Sequence, residues 1–241
     1  CIFKGDIFDH TELLIDNTVG QYGLTGITIQ TLASTSYPII IGGANLADAC
    51  QFLGGKYGIQ SVDANVEVKR CIFSGVGETA IDFQGNNPNN TLRSLRVVSG
   101  STFVGGKRHI LCQHRTNLTV QQSGFVNAQE HSIEWSDNHD GHLLVGDAAN
   151  ASFGNMFINN AWHAVVAWNN KTNLTPATNA NTTLATSSPN TYTSIVIANN
   201  EINAPVAAGG LLIGEWSLGQ YVPYQTLNIT LNTVNNVIKG I

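Results

Sequence analysis

The densest run of side chains able to do chemistry is His131-Ser132-Ile133-Glu134-Trp135-Ser136-Asp137-Asn138-His139-Asp140-Gly141-His142. Interleaved imidazoles and carboxylates are the groups that proton transfer or cation binding requires. Arg108, His109 and His114 precede the run, and Trp162, His163 and Trp168 follow it. Asp82 and Glu134 add two carboxylates. Two carboxyls held about 6.5–9.5 Å apart suit an inverting glycosidase, and an indole such as Trp168 offers a flat apolar platform to a sugar ring. Asp82, His131, Glu134, His163 and Trp168 therefore form a candidate glycan-binding face. Plainer roles compete with this one. His131 and His163 can simply stack at a turn, Trp135 has the parity of a core residue, and 137–142 can be a solvated turn. No residue is assigned as catalytic.

Other apparent motifs fail on context. Gly75-Val76-Gly77-Glu78-Thr79-Ala80 matches a dinucleotide fingerprint, but no helical pattern follows it. The stretch 100–107 imitates a phosphate loop, yet an extra glycine precedes Lys107, and Arg108 stands where Ser or Thr is needed. The four cysteines, Cys1, Cys50, Cys71 and Cys112, have no metal-type spacing. Nothing calls for a metal or a cofactor.

The elements that must position these residues are announced by a recurring word. Cys71-Ile72-Phe73-Ser74-Gly75 returns as Cys1-Ile2-Phe3-Lys4-Gly5 and Cys50-Gln51-Phe52-Leu53-Gly54, then in weaker form around Phe103, Phe125 and Phe157. An aliphatic follows each of the last five aromatics at a near-constant distance: Ile59, Ile81, Ile110, Ile133 and Val165. A third apolar segment precedes the word, with Val68, Val98, Val120 and Ile197 each five residues before Phe73, Phe103, Phe125 and Ile202. Phe3, Leu32 and Val237 are taken as further copies of the aromatic position, with 39–41 as the strand that follows Leu32. Three short strands per period, with loops of variable length, predict a parallel β-helix.

Side-chain parity supports that register. Ile81, Ile110, Ile133, Val165 and Leu211 form one inward column, and Phe83, Cys112, Trp135, Ala167 and Ile213 form a second. Asp82, Leu111, Glu134, Val166 and Leu212 lie between them and face outward. The word's first position drifts from Cys to Ser to Asn (Asn155, Asn200, then Asn235 or Asn236), which predicts an amide ladder along the coils. Cys50 and Cys71 become neighbours in that column. A bond between them is geometrically allowed, but buried free thiols are the expectation.

Charged residues make up only 11% of the chain and the net charge is −5. Nucleic acid and anionic membrane surfaces are thereby excluded as electrostatic partners, and no apolar run is long enough for a transmembrane helix. Seven N-x-S/T sequons occur, at Asn89, Asn117, Asn150, Asn170, Asn173, Asn181 and Asn228. They are candidate N-glycosylation sites of an extracellular or cell-surface chain. Residues 169–193, rich in Asn, Thr, Ala, Ser and Pro, are expected to form a long surface loop. Both ends fall within a coil, so the chain is expected to be a segment of a longer protein, or to have its ends covered by neighbouring subunits.

The coil pattern resembles the PbH1-type repeats of right-handed β-helix proteins. Within that group, His114-Arg115-Thr116-Asn117-Leu118-Thr119-Val120, followed by Gly124-Phe125 and by Glu134 and Asp137, resembles repeats of fibrocystin-like, G8-linked cell-surface proteins. Those proteins carry a His-x-His strand where this chain has Ile81-Asp82-Phe83. The expected architecture is all-β: a single-stranded right-handed parallel β-helix of about eight to nine coils, forming one domain over residues 1–241. The expected function is a non-catalytic structural or adhesive segment of a cell-surface or filament-forming glycoprotein, with glycans or neighbouring copies and domains of the same assembly as partners. The alternative is a carbohydrate-active lyase, hydrolase or epimerase, or a tailspike-like glycan binder, using the face of Asp82, His131, Glu134, His163 and Trp168.

Overall fold

The computed structural model describes residues 3–4, 11–15, 25–31, 38–45, 49–85, 92–114, 116–136, 141–170, 194–203, 209–216, 226–230 and 232–235. Two strands come first, β1 (Phe3–Lys4) and β2 (Thr11–Ile15). Seven coils of three strands follow. The first four coils are β3 (Thr25–Thr31), β4 (Ile39–Gly42), β5 (Gln51–Leu53); β6 (Tyr57–Val62), β7 (Val66–Lys69), β8 (Ile72–Ser74); β9 (Thr79–Gln84), β10 (Arg93–Val98), β11 (Thr102–Val104); and β12 (Arg108–Gln113), β13 (Thr116–Val120), β14 (Gly124–Val126). The remaining three are β15 (Ile133–Ser136), β16 (His142–Gly146), β17 (Met156–Ile158); β18 (His163–Asn170), β19 (Ser194–Ala198), β20 (Glu201–Asn203); and β21 (Gly209–Trp216), β22 (Thr226–Thr230), β23 (Thr233–Asn235). Strands of equal rank pair in parallel from coil to coil, making three sheets that enclose one core. The protein is a parallel β-helix.

The recurring word now has a physical meaning at each position. Its third residue points inward, and Phe52, Phe73, Phe103, Phe125 and Phe157 stack with ring centroids 4.6 to 4.8 Å apart. That separation is the strand spacing itself, so identical rings on parallel strands meet face to face. Its fifth residue turns the corner. Gly54, Gly75, Gly105, Asn127 and Asn159 have φ between 55° and 73°, a left-handed conformation that glycine tolerates freely and asparagine better than most residues.

Its first residue carries the amide ladder. Asn155 Nδ2 donates to Asn200 Oδ1 at 2.9 Å, and Asn200 Nδ2 donates to Asn232 Oδ1 at 2.9 Å. The same oxygens accept backbone N–H groups from the preceding coil: Asn155 Oδ1 from Ser123, Asn200 Oδ1 from Asn155 and Asn232 Oδ1 from Asn200. Buried amides that bond on both sides satisfy groups that would otherwise be costly to desolvate.

The inward columns hold in register, with Ile59, Ile81, Ile110, Ile133, Val165 and Leu211 paired across the coils. Several expectations at the ends do not survive. Phe3 is not on the phenylalanine stack; β1 pairs antiparallel with β4, placing Phe3 against Ile41 in another sheet. Likewise β2 pairs antiparallel with β3. The coil assigned to Leu32 is displaced by one strand: β3 lies in the sheet of Ile59 and Ile81, and β4 in the sheet of Val66 and Val68. Leu32 itself lies outside the described residues.

At the other end Val234, not Val237, pairs with Ile202. Asn232, rather than Asn235 or Asn236, continues the ladder. The five-residue rule from Ile229 leads to Val234, so the signal was present. Among the described residues seven coils are complete, with β1 and β2 reversed against the first of them. Cys50 is disulfide-bonded, against expectation, with neither Cys71 nor Cys112 as its partner, since both of these are free buried thiols. Asn169 and Asn170, expected in the surface loop, are strand residues of β18. The rest of that loop lies outside the described residues.

Candidate functional site

The proposed glycan-binding face is built on the sheet of β6, β9, β12, β15 and β18 and on the corner that leads into it. Alternation sends Asp82, Leu111, Glu134 and Val166 to the outer side of this sheet in one register line. Asp82 and Glu134 are therefore two strands apart, roughly 10 Å, with Leu111 between them.

Neither carboxylate is idle. Asp82 is 8% exposed and accepts hydrogen bonds from Gln60 Nε2 at 3.3 Å and Gln84 Nε2 at 3.2 Å. Glu134 lies 3.1 Å from Arg108 Nη1, and the Arg108 Nε is 3.3 Å from Glu130. Lys107 bridges Glu78 and Glu130 at 3.6 and 3.5 Å. Alternating charges at coil spacing thus neutralise one another along this edge. Trp168 follows Ala167 in β18 opposite Ser136.

His131 lies at the corner before β15 and His163 at the first position of β18. His131 and His163 sit with ring centroids 5.4 Å apart, and the Trp162 ring meets His131 edge-on at 5.3 Å. Burial first, and then the neighbouring charges of His163 and Arg108, push the His131 pKa down to about 4. The imidazole is therefore neutral at pH 7. The structure brings His131, His163, Trp162 and Arg108 together, and separately Asp82 with its two glutamines. Asp82 with its two glutamines and the His131–His163 pair with Arg108 and Glu134 are thus two separate groups. Among the described residues an exposed indole is that of Trp162, 53% accessible, which lies beside the expected face and not within it. Asp137, Asn138, His139 and Asp140 lie outside the described residues.

His109 leaves the polar cluster altogether. Parity puts it outside, next to inward Ile110, but the corner rotates it into the core, where it is fully buried against the rings of Phe103 and Phe125. Its Nδ1 meets Ser132 Oγ and its Nε2 meets the Gly105 carbonyl oxygen, both at 3.2 Å. Burial lowers its pKa to about 4.

The thiols are equally internal. Burial raises Cys71 to about 11 and Cys112 to about 12, which removes the thiolate that reactivity requires. Among the described residues no group of three or more His, Cys, Asp or Glu gathers as metal ligands, and no helix is long and apolar enough to cross a membrane.

The sequons differ in setting. Asn150 is exposed and caps the short 3-10 helix Ala151–Phe153, its Oδ1 accepting from Ser152 N and Oγ. Asn117 Oδ1 accepts from the His142 N–H of the next coil. Asn228 is half-buried in β22. Asn170 ends β18, whereas Asn89, Asn173 and Asn181 lie outside the described residues.

A different concavity was not legible in the sequence. Between β16 and β17 the chain takes nine residues, 147–155, to turn a corner that five of the other coils turn in two or three and the first turns in eight. This longer turn walls a groove of about 480 Å³ lined by Gln122, Gly124, Ala151, Met156, Asn199 and Glu201, among others. No protein-family model matches the chain, and no curated protein or solved structure matches it either.

Proposed function

We propose that this chain is a rigid, non-catalytic β-helix segment of an extracellular or cell-surface glycoprotein, with a structural or adhesive role. The observation that carries the reading is the continuous lateral stacking. The phenylalanine column, the amide ladder and the charge pairs of the outer edge all spend their bonding capacity on the neighbouring coil. A column whose members satisfy one another is stiff, and it leaves few groups free to move protons in a reaction.

The carboxylates that an enzyme would need favour the same conclusion. Asp82 is buried among amides and Glu134 is held by Arg108. The disulfide at Cys50 supports an oxidising compartment, and exposed Asn150 supports a glycosylated exterior. The likeness of 114–137 to fibrocystin-like repeats points the same way, and it suggests glycans or neighbouring copies and domains as partners.

A panel of acidic and neutral polysaccharides tests the non-catalytic claim, with no cleavage expected. Surface exposure is tested by labelling intact source cells with a membrane-impermeant amine reagent. Cleavage of any polymer, or label confined to lysed cells, would overturn the proposal.

A further inference from the structure

Several glycines in this solenoid have visible reasons. Gly146 has φ +78°, and a Cβ there would lie 1.9 Å from the Ala198 carbonyl oxygen. Gly106, at φ +92°, would meet the Val76 carbonyl oxygen at 2.0 Å. Gly124 has neither reason. It begins β14, an interior strand paired with β11 on one side and β17 on the other, its φ is not positive, and an added Cβ would meet nothing within 4 Å. Glycine in a strand weakens it relative to alanine, because the backbone loses more freedom on folding. Where fold and packing do not demand it, glycine often marks a place where another molecule approaches the backbone closely.

Gly124 lies in the groove. On the outer side of its sheet the register line runs Ile72, Thr102, Gly124, Met156, Glu201. The missing side chain opens a notch between Thr102 and Met156, and the turn around Ala151 and Gly154 walls it. Met156, 47% exposed, gives an apolar contact beside the notch. Glu201 stands exposed beyond Met156, with Gln122 and Asn199 lining the groove at the corner. At about 480 Å³ the space falls within the range of about 300–1,000 Å³ typical of small-molecule sites.

We propose that this groove is a binding site for a neutral oligosaccharide, seated over Gly124 against Met156 and hydrogen-bonded by Gln122, Asn199 and Glu201. Amides and a carboxylate without any lining cation suit hydroxyls, which both donate and accept, and disfavour phosphate or sulfate esters. An extended peptide is the weaker fit, because β14 and β17 are paired on both sides and offer no free edge for strand addition. The site deepens the adhesive reading and rests on it for its extracellular setting. The ligand class, however, follows from the lining alone.

The test titrates the whole chain with short neutral gluco-, manno- and galacto-oligosaccharides, followed by amide NMR shifts and calorimetry. At least one series is expected to bind and to shift Gly124 and Met156. Gly124→Thr, which copies Thr102 one coil away, should fold with an unchanged or higher urea midpoint and weaken binding by at least about tenfold. Glu201→Gln should weaken it less. Equal binding by the folded Gly124→Thr chain, or no binding of any series to the unsubstituted chain, overturns the site while leaving the stiff-rod reading in place. Tighter binding of an extended peptide than of every sugar overturns the ligand class.

Discussion

His109 shows how one side chain couples this core to pH. Its ring lies between two phenylalanines with both nitrogens bonded inside the protein, so the charged form has no water to stabilise it. The folded-state pKa falls from 6.5 to about 4, while the unfolded chain takes its proton near 6.5. As pH drops, the unfolded state is therefore protonated first. The contribution is complete above about pH 6.5 and is lost progressively towards pH 4, amounting to about 2 kcal/mol by pH 5. His131, lowered for the same first reason, adds a loss of the same sign. Urea unfolding at pH 7.5 and 5 measures the difference. His109→Gln, which keeps an amide donor for Gly105, is expected to shrink that difference without abolishing it. An unchanged difference would show that His109 is not buried as a neutral ring.

At the scale of the strand, the phenylalanine column makes an unequal prediction along its length. Phe103 has a stacked ring on each side and is fully buried, whereas among the described residues Phe52 stacks on Phe73 alone and is 8% exposed. Phe103→Ala should cost about 3–5 kcal/mol, and Phe52→Ala clearly less, because its site can relax towards the end of the stack. Thermal or urea unfolding distinguishes them, and equal costs would argue against a continuous column. The same contrast explains what could be read in the sequence. Identical residues on parallel strands must recur with their companions, so Val68, Phe73 and Ile81 betray their strands by spacing. The first word lacked its companion: His10, Thr11 and Glu12 stand where an aliphatic should follow Phe3, and antiparallel pairing erases the period that parity depends on. The order of Asp82, Leu111 and Glu134 followed from alternation, but the pairing of Arg108 with Glu130 and Glu134 runs diagonally between coils. The groove at Gly124 was hidden for another reason: it is made by a missing side chain and by the path of residues 147–155.

Over the whole molecule the described stack begins with a reversal. At the first coil the progression stops because β1 and β2 run antiparallel against β4 and β3. A parallel solenoid offers unpaired N–H and C=O groups on its terminal strands, and such edges recruit other chains unless they are covered. A reversed strand satisfies the edge beneath it and does not continue the coil's handed path, so the next copy finds no coil to extend. Each coil meets only its neighbours, so stability is close to a sum of coil and interface terms, and losing β1 and β2 should leave the distant coils intact. A chain lacking residues 1–24 is therefore expected to keep its β spectrum by circular dichroism but to self-associate through the bared edges of β3 and β4. Sedimentation velocity over a range of concentrations measures this, with the full chain as reference. If the shortened chain stays as monomeric as the full one, β1 and β2 do not guard the edge. If it loses its β structure altogether, the coils are not the independent units that their nearest-neighbour contacts imply.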